Sequence, residues 1–150
     1  MKAEDLVRAG GEENLEVREV PGKGRGIFSR LGFEKNDYVC EYAGELISCK
    51  EGEEREARYL LDEQIGSYIY FFRYSEKRFC IDATEESGRH GRLINHSKTT
   101  PNLKTKVCRV DDQPRMYFVA TVKIEQGDEL LYDYGDTRKE AVNDFPWLLS

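Results

Sequence analysis

The sequence lacks the features of several large protein classes. No apolar run in its 150 residues is long enough for a signal peptide or a membrane span, so we expect an intracellular chain with reduced thiols and no membrane contact. Basic residues are not in excess, because 23 Lys and Arg stand against 29 Asp and Glu, a net charge of −6. This balance disfavours a protein that binds naked nucleic acid, but it suits a basic partner.

Metal-ligating patterns are also scarce. The chain has only 2 histidines, and its 4 cysteines form no CxxC or CxC pair. We therefore expect no metal site. The thiols are instead expected to pack as small buried hydrophobic groups; they are Cys40, Cys49, Cys80 and Cys108.

The sequence does contain a series of short β-prone segments separated by turn signals. With 39% hydrophobic residues, one domain of this length can bury a core. A short helix around Glu4–Ala9 and two longer ones over Glu51–Glu63 and Thr137–Asp144 are predicted. The helix predicted over Glu51–Glu63 is highly charged, and its narrow apolar stripe consists of Ala57, Leu60 and Leu61. The predicted strands are Leu15–Val17, Tyr38–Ile47, Tyr68–Tyr74, Arg78–Ile81, Lys104–Val110, Met116–Ile124 and Glu129–Tyr134. These elements predict a mostly β (α+β) fold.

Charge is distributed unevenly along the chain. Residues 85–109 hold 6 bases and 2 acids, a balance of +4, whereas residues 125–144 hold 7 acids and 2 bases, a balance of −5. The two stretches are either ordinary solvated faces or the poles of a surface that meets a partner of both signs, such as a nucleosome.

The first of three chemically suggestive motifs is PGKGRGI at residues 21–27. Its alternate glycines either let backbone N–H groups approach a ligand or make a tight turn between strands. It is not a Walker A loop, since no GK[ST] follows, and it does not match GxGxxG.

The other two motifs are GRLINHS at residues 91–97 and ELLYDYGD at residues 129–136. Asn95 and His96 follow an apolar pair, so we expect their polar ends at the end of a secondary-structure element. No pattern marks His96 as a member of a catalytic triad. Tyr132 and Tyr134 share one face of a strand, either as core tyrosines or as the lining of a phenol pocket that positions a polar group.

The order of these motifs resembles that of the SET-domain protein lysine methyltransferases. GKGRG, EYAGEL, an aromatic strand ending in CIDAT, GRLINHS and ELLYDYG follow one another within residues 14–150. GRLINHSK, REARY and the closing Pro-Trp-Leu are similar to the subgroup that monomethylates lysine-20 of histone H4, although the NHSKTTPN stretch carries an additional residue. The resemblance implies small curved β-sheets, a C-terminal pseudoknot and a short closing C-terminal helix. It places the SET domain at residues 14–150, after an N-terminal flank of residues 1–13.

The reaction implied by the resemblance is methyl transfer from S-adenosylmethionine to a lysine amine, without a metal. Tyr134 matches the family's catalytic phenol and would orient the amine and the methyl group. Tyr42 and Tyr132 would line the lysine channel, and Asp136 would contact the substrate. Cofactor contacts are implied for Lys23, Gly24, Arg25, Tyr68, Asn95, His96 and Trp147. Trp147 either stacks on adenine or anchors the C-terminal helix as an apolar group.

A tyrosine at the position of Tyr132 goes with monomethylation in this family, so the resemblance implies a monomethylase. It also implies the histone H4 tail and the nucleosome as partners, in the nucleus on chromatin, and we expect a monomer. Lys104, Lys106 and Arg109 are candidate contacts to nucleosomal DNA. Two alternatives stay open: the same reaction on a non-histone protein, and a SET-like module that binds a peptide or chromatin without catalysis.

Overall fold

The computed structural model describes residues 2–22, 24–61 and 68–133. The chain falls into two units, of which the first holds the described residues up to Tyr42 and from Arg89 onward, and the second holds Ala43–Gly88. The helices are α1 (Ala3–Ala9) and α2 (Cys49–Leu60), and a 3-10 turn spans Gly91–Leu93. The strands are β1 (Leu15–Val20), β2 (Gly24–Ser29), β3 (Tyr38–Glu41), β4 (Glu45–Ser48), β5 (Ile69–Tyr74), β6 (Lys77–Asp82), β7 (Asn95–His96), β8 (Leu103–Val110), β9 (Gln113–Ala120) and β10 (Leu131–Tyr132).

The first unit contains a hairpin of β1 and β2 and a five-stranded sheet in the order β3-β9-β8-β10-β7. Strands β3, β9 and β8 are antiparallel neighbours, whereas β10 pairs in parallel with both β7 and β8. Helix α1 contributes Val7, which is 2% exposed, to an apolar cluster with Val110, Tyr117 and Val119. Because strand residues alternate between faces, Tyr117 and Val119 share the face of β9 that meets this helix.

The second unit is a three-stranded antiparallel sheet in the order β4-β6-β5, with α2 packed on it. The Ser48 hydroxyl caps the helix by accepting a hydrogen bond from the Glu51 N–H at 3.1 Å. The apolar core of the second unit consists of Ile47, Ile69, Phe71 and Cys80, with Cys49 and Tyr59 packed against them.

The mostly β prediction is confirmed, and two of the three predicted helices lie in the part of the chain that the structure describes. The apolar stripe assigned to α2 is wrong, since Leu60 and Leu61 are 74% and 88% exposed. The buried residue of this helix is Gly52, and Arg55 and Tyr59 bind the sheet through hydrogen bonds. The helix thus meets the sheet through the packing of Cys49 and Tyr59 and through hydrogen bonds, instead of the expected apolar stripe.

Three strand predictions also change. The segment Tyr38–Ile47 is two strands in different sheets, because the backbone leaves the first sheet after Glu41. Residues of the glycine motif form the strand β2, whereas the sequence pattern predicts only a turn or a ligand loop there. The ELLYDYG segment contributes the two-residue strand β10. The predicted helix Thr137–Asp144 lies outside the described residues.

All four cysteines are free thiols; Cys40 and Cys80 are fully buried and the other two are half-buried. Within residues 2–22, 24–61 and 68–133, no group of three or more His, Cys, Asp or Glu side chains is placed to hold a metal ion. In the same ranges, neither helix has the length and apolarity needed to cross a bilayer.

Candidate functional site

The glycine motif and the NHS motif meet in the first unit. Gly26 on β2 is buried, and a Cβ atom there would lie 2.7 Å from Glu129 Oε2 and 2.9 Å from Asn95 Nδ2. Only glycine allows so close an approach of the β2 backbone. The preceding residues, Gly24 and Arg25, are exposed.

Asn95 is held by two hydrogen bonds from its side-chain amide. Nδ2 donates to the Arg25 carbonyl oxygen at 3.1 Å and to Glu129 Oε2 at 2.9 Å. The sequence positions of these groups are 70 and 34 residues away from Asn95. The three residues therefore form one polar cluster that joins β2, β7 and the segment before β10.

His96 follows Asn95 at the end of the short strand β7, as the sequence predicted for both polar side chains. Its side chain is 45% exposed, and Nδ1 lies 3.9 Å from Asp133 Oδ1. In the parallel register of β7 and β10, Leu131 pairs with Asn95 and Tyr132 with His96. The NHS motif is thus adjacent to the first tyrosine of the ELLYDYG motif.

Tyr42 and Tyr132 come together on one aromatic ring. Both are buried, at 4% and 7% exposure. Their rings pack edge-on against Phe118, with centroid distances of 6.2 Å for Tyr42 and 5.1 Å for Tyr132. The Tyr42 backbone N–H donates to the Met116 carbonyl at 2.8 Å, which continues the pairing of β3 with β9.

Two residues without a predicted role hold the segment around β10. Asn102 Nδ2 donates to the Glu129 carbonyl at 2.9 Å, and its Oδ1 accepts from the Leu131 N–H at 2.8 Å. Glu129 belongs to the acidic stretch of the sequence, and its carboxylate binds Asn95. No local pattern could have identified either residue, because each acts on chain segments far away in sequence.

Tyr68 belongs to the second unit, where hydrogen bonds fix its backbone. Its N–H donates to Thr84 Oγ1 at 3.3 Å, and its carbonyl accepts from the Ala83 N–H at 2.8 Å. Asp82 supports this segment: Oδ1 accepts from the Thr84 N–H at 2.9 Å, and Oδ2 from the Tyr59 hydroxyl at 2.7 Å. Burial raises the pKa of Asp82, but the hydrogen bonds from Thr84 and Tyr59 outweigh it, so the pKa lies below its usual range.

Four predicted site residues lie outside the described residues: Lys23, Tyr134, Asp136 and Trp147. The structure therefore brings together Tyr42 with Tyr132, and Arg25 with Asn95, while His96 stands beside Tyr132.

The three candidate DNA contacts do not form one patch. Lys104 and Lys106 are exposed and share one face of β8, because alternate strand residues point the same way. Arg109 lies on the opposite face and binds Asp112. The basic stretch is also less solvated than its charge suggests, since Arg92 is buried.

Comparison with known proteins identifies the family. The SET domain model matches residues 24–135. The chain is 44% identical to the N-lysine methyltransferase KMT5A of Xenopus tropicalis over 147 residues, which is 98% of this chain and 44% of that protein. It is 48% identical to the histone-lysine N-methyltransferase set-1 of Caenorhabditis elegans, over 97% of this chain and 60% of that protein. The chain thus spans less than two thirds of the curated relatives described here.

Solved structures agree with this assignment. CpSET8 from Cryptosporidium superposes with a TM-score of 0.76 at 42% identity, over 81% of this chain and 57% of that chain. The ctPRC2 complex, solved in an autoinhibited conformation bound to S-adenosylmethionine, gives a TM-score of 0.67 at 30% identity, over 91% of this chain and 17% of that chain. The motifs, the match to the SET domain model and the similarity to relatives and solved structures lead to one conclusion: the chain belongs to the SET domain family.

Proposed function

We propose that the chain is a lysine methyltransferase that transfers one methyl group from S-adenosylmethionine to lysine-20 of histone H4 on nucleosomes, as a nuclear monomer. The names of its relatives, N-lysine and histone-lysine methyltransferases, support the reaction. The motifs GRLINHSK and REARY support the target. The proposed SET domain covers residues 14–150, with residues 1–13 as its N-terminal flank.

One observation carries the proposal. The parallel pairing of β7 with β10 sets Tyr132 beside His96 and Leu131 beside Asn95. Tyr132, one of the two buried phenols, and Asn95, the centre of the polar cluster, therefore lie on neighbouring strands. Methyl transfer needs this combination, because a lysine amine and a polar cofactor must be held side by side.

The described residues fit S-adenosylmethionine by the chemistry of their donors and acceptors. The exposed backbone at Gly24 and Arg25, the Asn95 side-chain carbonyl and the His96 imidazole supply both kinds of group, as an amino-acid moiety and an adenine edge require. Lys23, Tyr68 and Trp147 complete the proposed cofactor contacts. When bound, the cofactor supplies an activated methyl group on a sulfonium.

The phenols act on the lysine. A free lysine amine is protonated at neutral pH, with a pKa of about 10.4. Burial between Tyr42 and Tyr132 removes water from the amine and favours its neutral form, so the ammonium gives its proton to bulk water as it enters the channel, before transfer. Tyr134 then orients the lone pair for in-line attack, and Asp136 contacts the substrate tail.

The proposal is tested by methylation of recombinant nucleosomes, read by tandem mass spectrometry. We expect one monomethyl mark on lysine-20 of histone H4. We expect the Tyr134→Phe variant to react about 100-fold more slowly than wild type, which is the size of effect that follows from removing a group that stabilises the transition state electrostatically. In a parallel reaction with non-histone proteins, a mark found only there would support the alternative in which the same reaction acts on a non-histone substrate. Cofactor binding without any transfer would support the non-catalytic module.

The product state depends on the crowding of the phenol pocket. Tyr132→Phe removes one hydroxyl and should allow dimethyl-lysine to accumulate in long reactions. Tyr117→Phe is the matched control, because Tyr117 is a buried phenol on the face of β9 opposite Phe118. If both variants yield only monomethyl peptide, the pocket argument is wrong.

Nucleosomal DNA is a further proposed contact, now confined to one face of β8. Replacing Lys104 and Lys106 with alanine should slow methylation of nucleosomes but not of a free peptide. Arg109→Ala, on the opposite face, is the control. Equal loss on both substrates would remove the DNA contact from the proposal.

A further inference from the structure

Four charged side chains form a cluster around Glu41, the residue before Tyr42, here named the flank cluster: Glu12, Glu41, Arg89 and Arg115. Glu41 is 3% exposed and is the last residue of β3, directly before Tyr42. Arg115 on β9 donates to its carboxylate through both Nε and Nη2, with an Nη2–Oε1 distance of 2.9 Å. Arg89 Nη2 lies 3.6 Å from the same Oε1.

Glu12 connects this buried carboxylate to the N-terminal flank. Its Oε2 accepts from Arg89 Nε at 3.0 Å, and its Oε1 accepts from the His90 backbone N–H at 3.0 Å. The Glu12 side chain is 9% exposed. Glu12 stands outside residues 24–135, which match the SET domain model, but it binds residues inside that range.

The segment held by Glu12 lies directly on the backbone of the tyrosine. A Cβ atom on Gly91 would stand 2.3 Å from the Glu41 carbonyl oxygen and 3.0 Å from the Tyr42 Cα. The Gly91 backbone therefore packs tightly against the backbone of Glu41 and Tyr42.

The charges of the cluster balance, with two carboxylates against two guanidiniums. Hydrogen bonds from Arg115 to Glu41 raise the pKa of Arg115, and both arginines stay charged. Removing one member unbalances the charges around the buried Glu41 carboxylate, and the remaining side chains must pair anew or turn toward water. A loss at Glu12 is thus transmitted to Arg89 and from there to Glu41.

We infer that Glu12 and Arg89 are positioning residues for Tyr42, so that the N-terminal flank sets the geometry of the lysine channel. This inference rests on the proposed function, in which Tyr42 lines that channel. It assigns the flank a part in the reaction, although neither Glu12 nor Arg89 touches the reacting atoms.

The test compares Glu12→Gln with Glu13→Gln, an exposed neighbour that serves as the control. Glutamine keeps an acceptor for the His90 N–H but removes the charge that binds Arg89. We expect kcat per folded enzyme to fall about 10-fold in Glu12→Gln, a modest cost for misplacing a substrate-contacting side chain. Glu12→Asp, which keeps the charge, should recover part of this loss.

A second readout does not depend on catalysis. The Tyr42 N–H donates to the Met116 carbonyl, so its hydrogen-exchange rate, measured by NMR, reports the local opening of β3. We expect exchange at Tyr42 to rise about 10-fold in Glu12→Gln and to stay unchanged in Glu13→Gln.

The outcomes separate the two proposals. An active wild type with unchanged kcat and unchanged Tyr42 exchange in Glu12→Gln overturns the inference and leaves the proposed function standing. A lower melting temperature without either change also overturns it, because that result shows a purely structural role. If the wild type transfers no methyl group, the proposed function fails, and the exchange rate at Tyr42 alone decides the positioning by Glu12.

Discussion

The two units of the molecule each contain a network of ionic side chains, and the networks are arranged in opposite ways. In the flank cluster a buried carboxylate, Glu41, lies between the guanidiniums of Arg89 and Arg115. In the second unit a guanidinium, Arg55, binds the carboxylates of Glu45, Glu51 and Asp82, a group we name the helix cluster.

The acidic members of the two networks differ mainly in how deeply their side chains are buried. The Glu41 side chain is 3% exposed and that of Asp82 is 4% exposed, whereas those of Glu45 and Glu51 are 58% and 48% exposed. An ion pair in water contributes little because solvent screens it, but an unmatched charge in the interior is costly. The comparison therefore predicts that the effect of neutralising each acid follows its burial and not the count of its contacts.

The largest effect is expected for Glu41→Gln. The substitution leaves two guanidiniums near each other without their shared anion, and we expect the free energy of unfolding at pH 7 to fall by about 3 kcal/mol. Urea denaturation followed by circular dichroism measures this change. Glu16→Gln, which removes the half-buried partner of Arg18, is the control. Equal urea midpoints of unfolding for the two variants would contradict the prediction that the effect follows burial.

Asp82→Asn should have an intermediate effect that depends on pH. Because the folded pKa of Asp82 is depressed, its carboxylate stabilises the fold above the ordinary pKa of about 3.9, and the stabilisation is lost as the pH falls through the folded pKa. We expect a difference of about 2 kcal/mol from wild type at pH 7, the scale of hydrogen bonds to a charged group.

Unfolding free energies measured between about pH 7 and about pH 2 would show this difference narrowing on the acid side. A difference that stays constant over the whole range would mean that the Asp82→Asn variant loses only packing, and that the hydrogen bonds from Tyr59 and Thr84 do not depend on the charge.

The smallest effect is expected for Glu45→Gln. Glu45 binds Arg55 through two hydrogen bonds, at 2.8 and 3.0 Å, which is more contact than Asp82 makes with the same arginine. Its exposure nevertheless limits the expected loss to about 0.5 kcal/mol, and about 1 M salt should abolish it. A loss as large as that of Asp82→Asn would show that contact geometry outweighs burial here.

The fold class and the family could be predicted from the sequence because both depend on local patterns. Alternating β-prone segments predicted most strands, and the order of short motifs indicated the SET domain. The prediction for α2 failed because it assumed an apolar stripe, whereas the helix binds its sheet through Arg55 and Tyr59. A charged residue on a helix is predicted to face solvent unless its partner on another secondary-structure element is known.

The supporting residues of the site escaped prediction for the same reason. Glu12 and Arg89 are 77 residues apart, and Arg115 and Glu41 are 74 residues apart. The count of charged residues along the sequence put Arg89 in the basic stretch of residues 85–109, which suggested that its side chain lies on the surface. Which charges turn inward is decided by the topology of the sheets, which single-sequence periodicity does not contain.

The two-residue strand β10 has a consequence for the order of folding. It completes the sheet by pairing in parallel with β7 and β8, and the side chain of Asn102, 29 residues before Leu131 in the sequence, accepts a hydrogen bond from the Leu131 N–H that holds it. The entropy of closing such loops opposes the pairing until its partners are already in place. We therefore expect the phenol pair and the Asn95 cluster to assemble late in the folding of the first unit. We also expect a chain opened at β10 to keep the pairing of β3, β9 and β8 but to lose the assembled site.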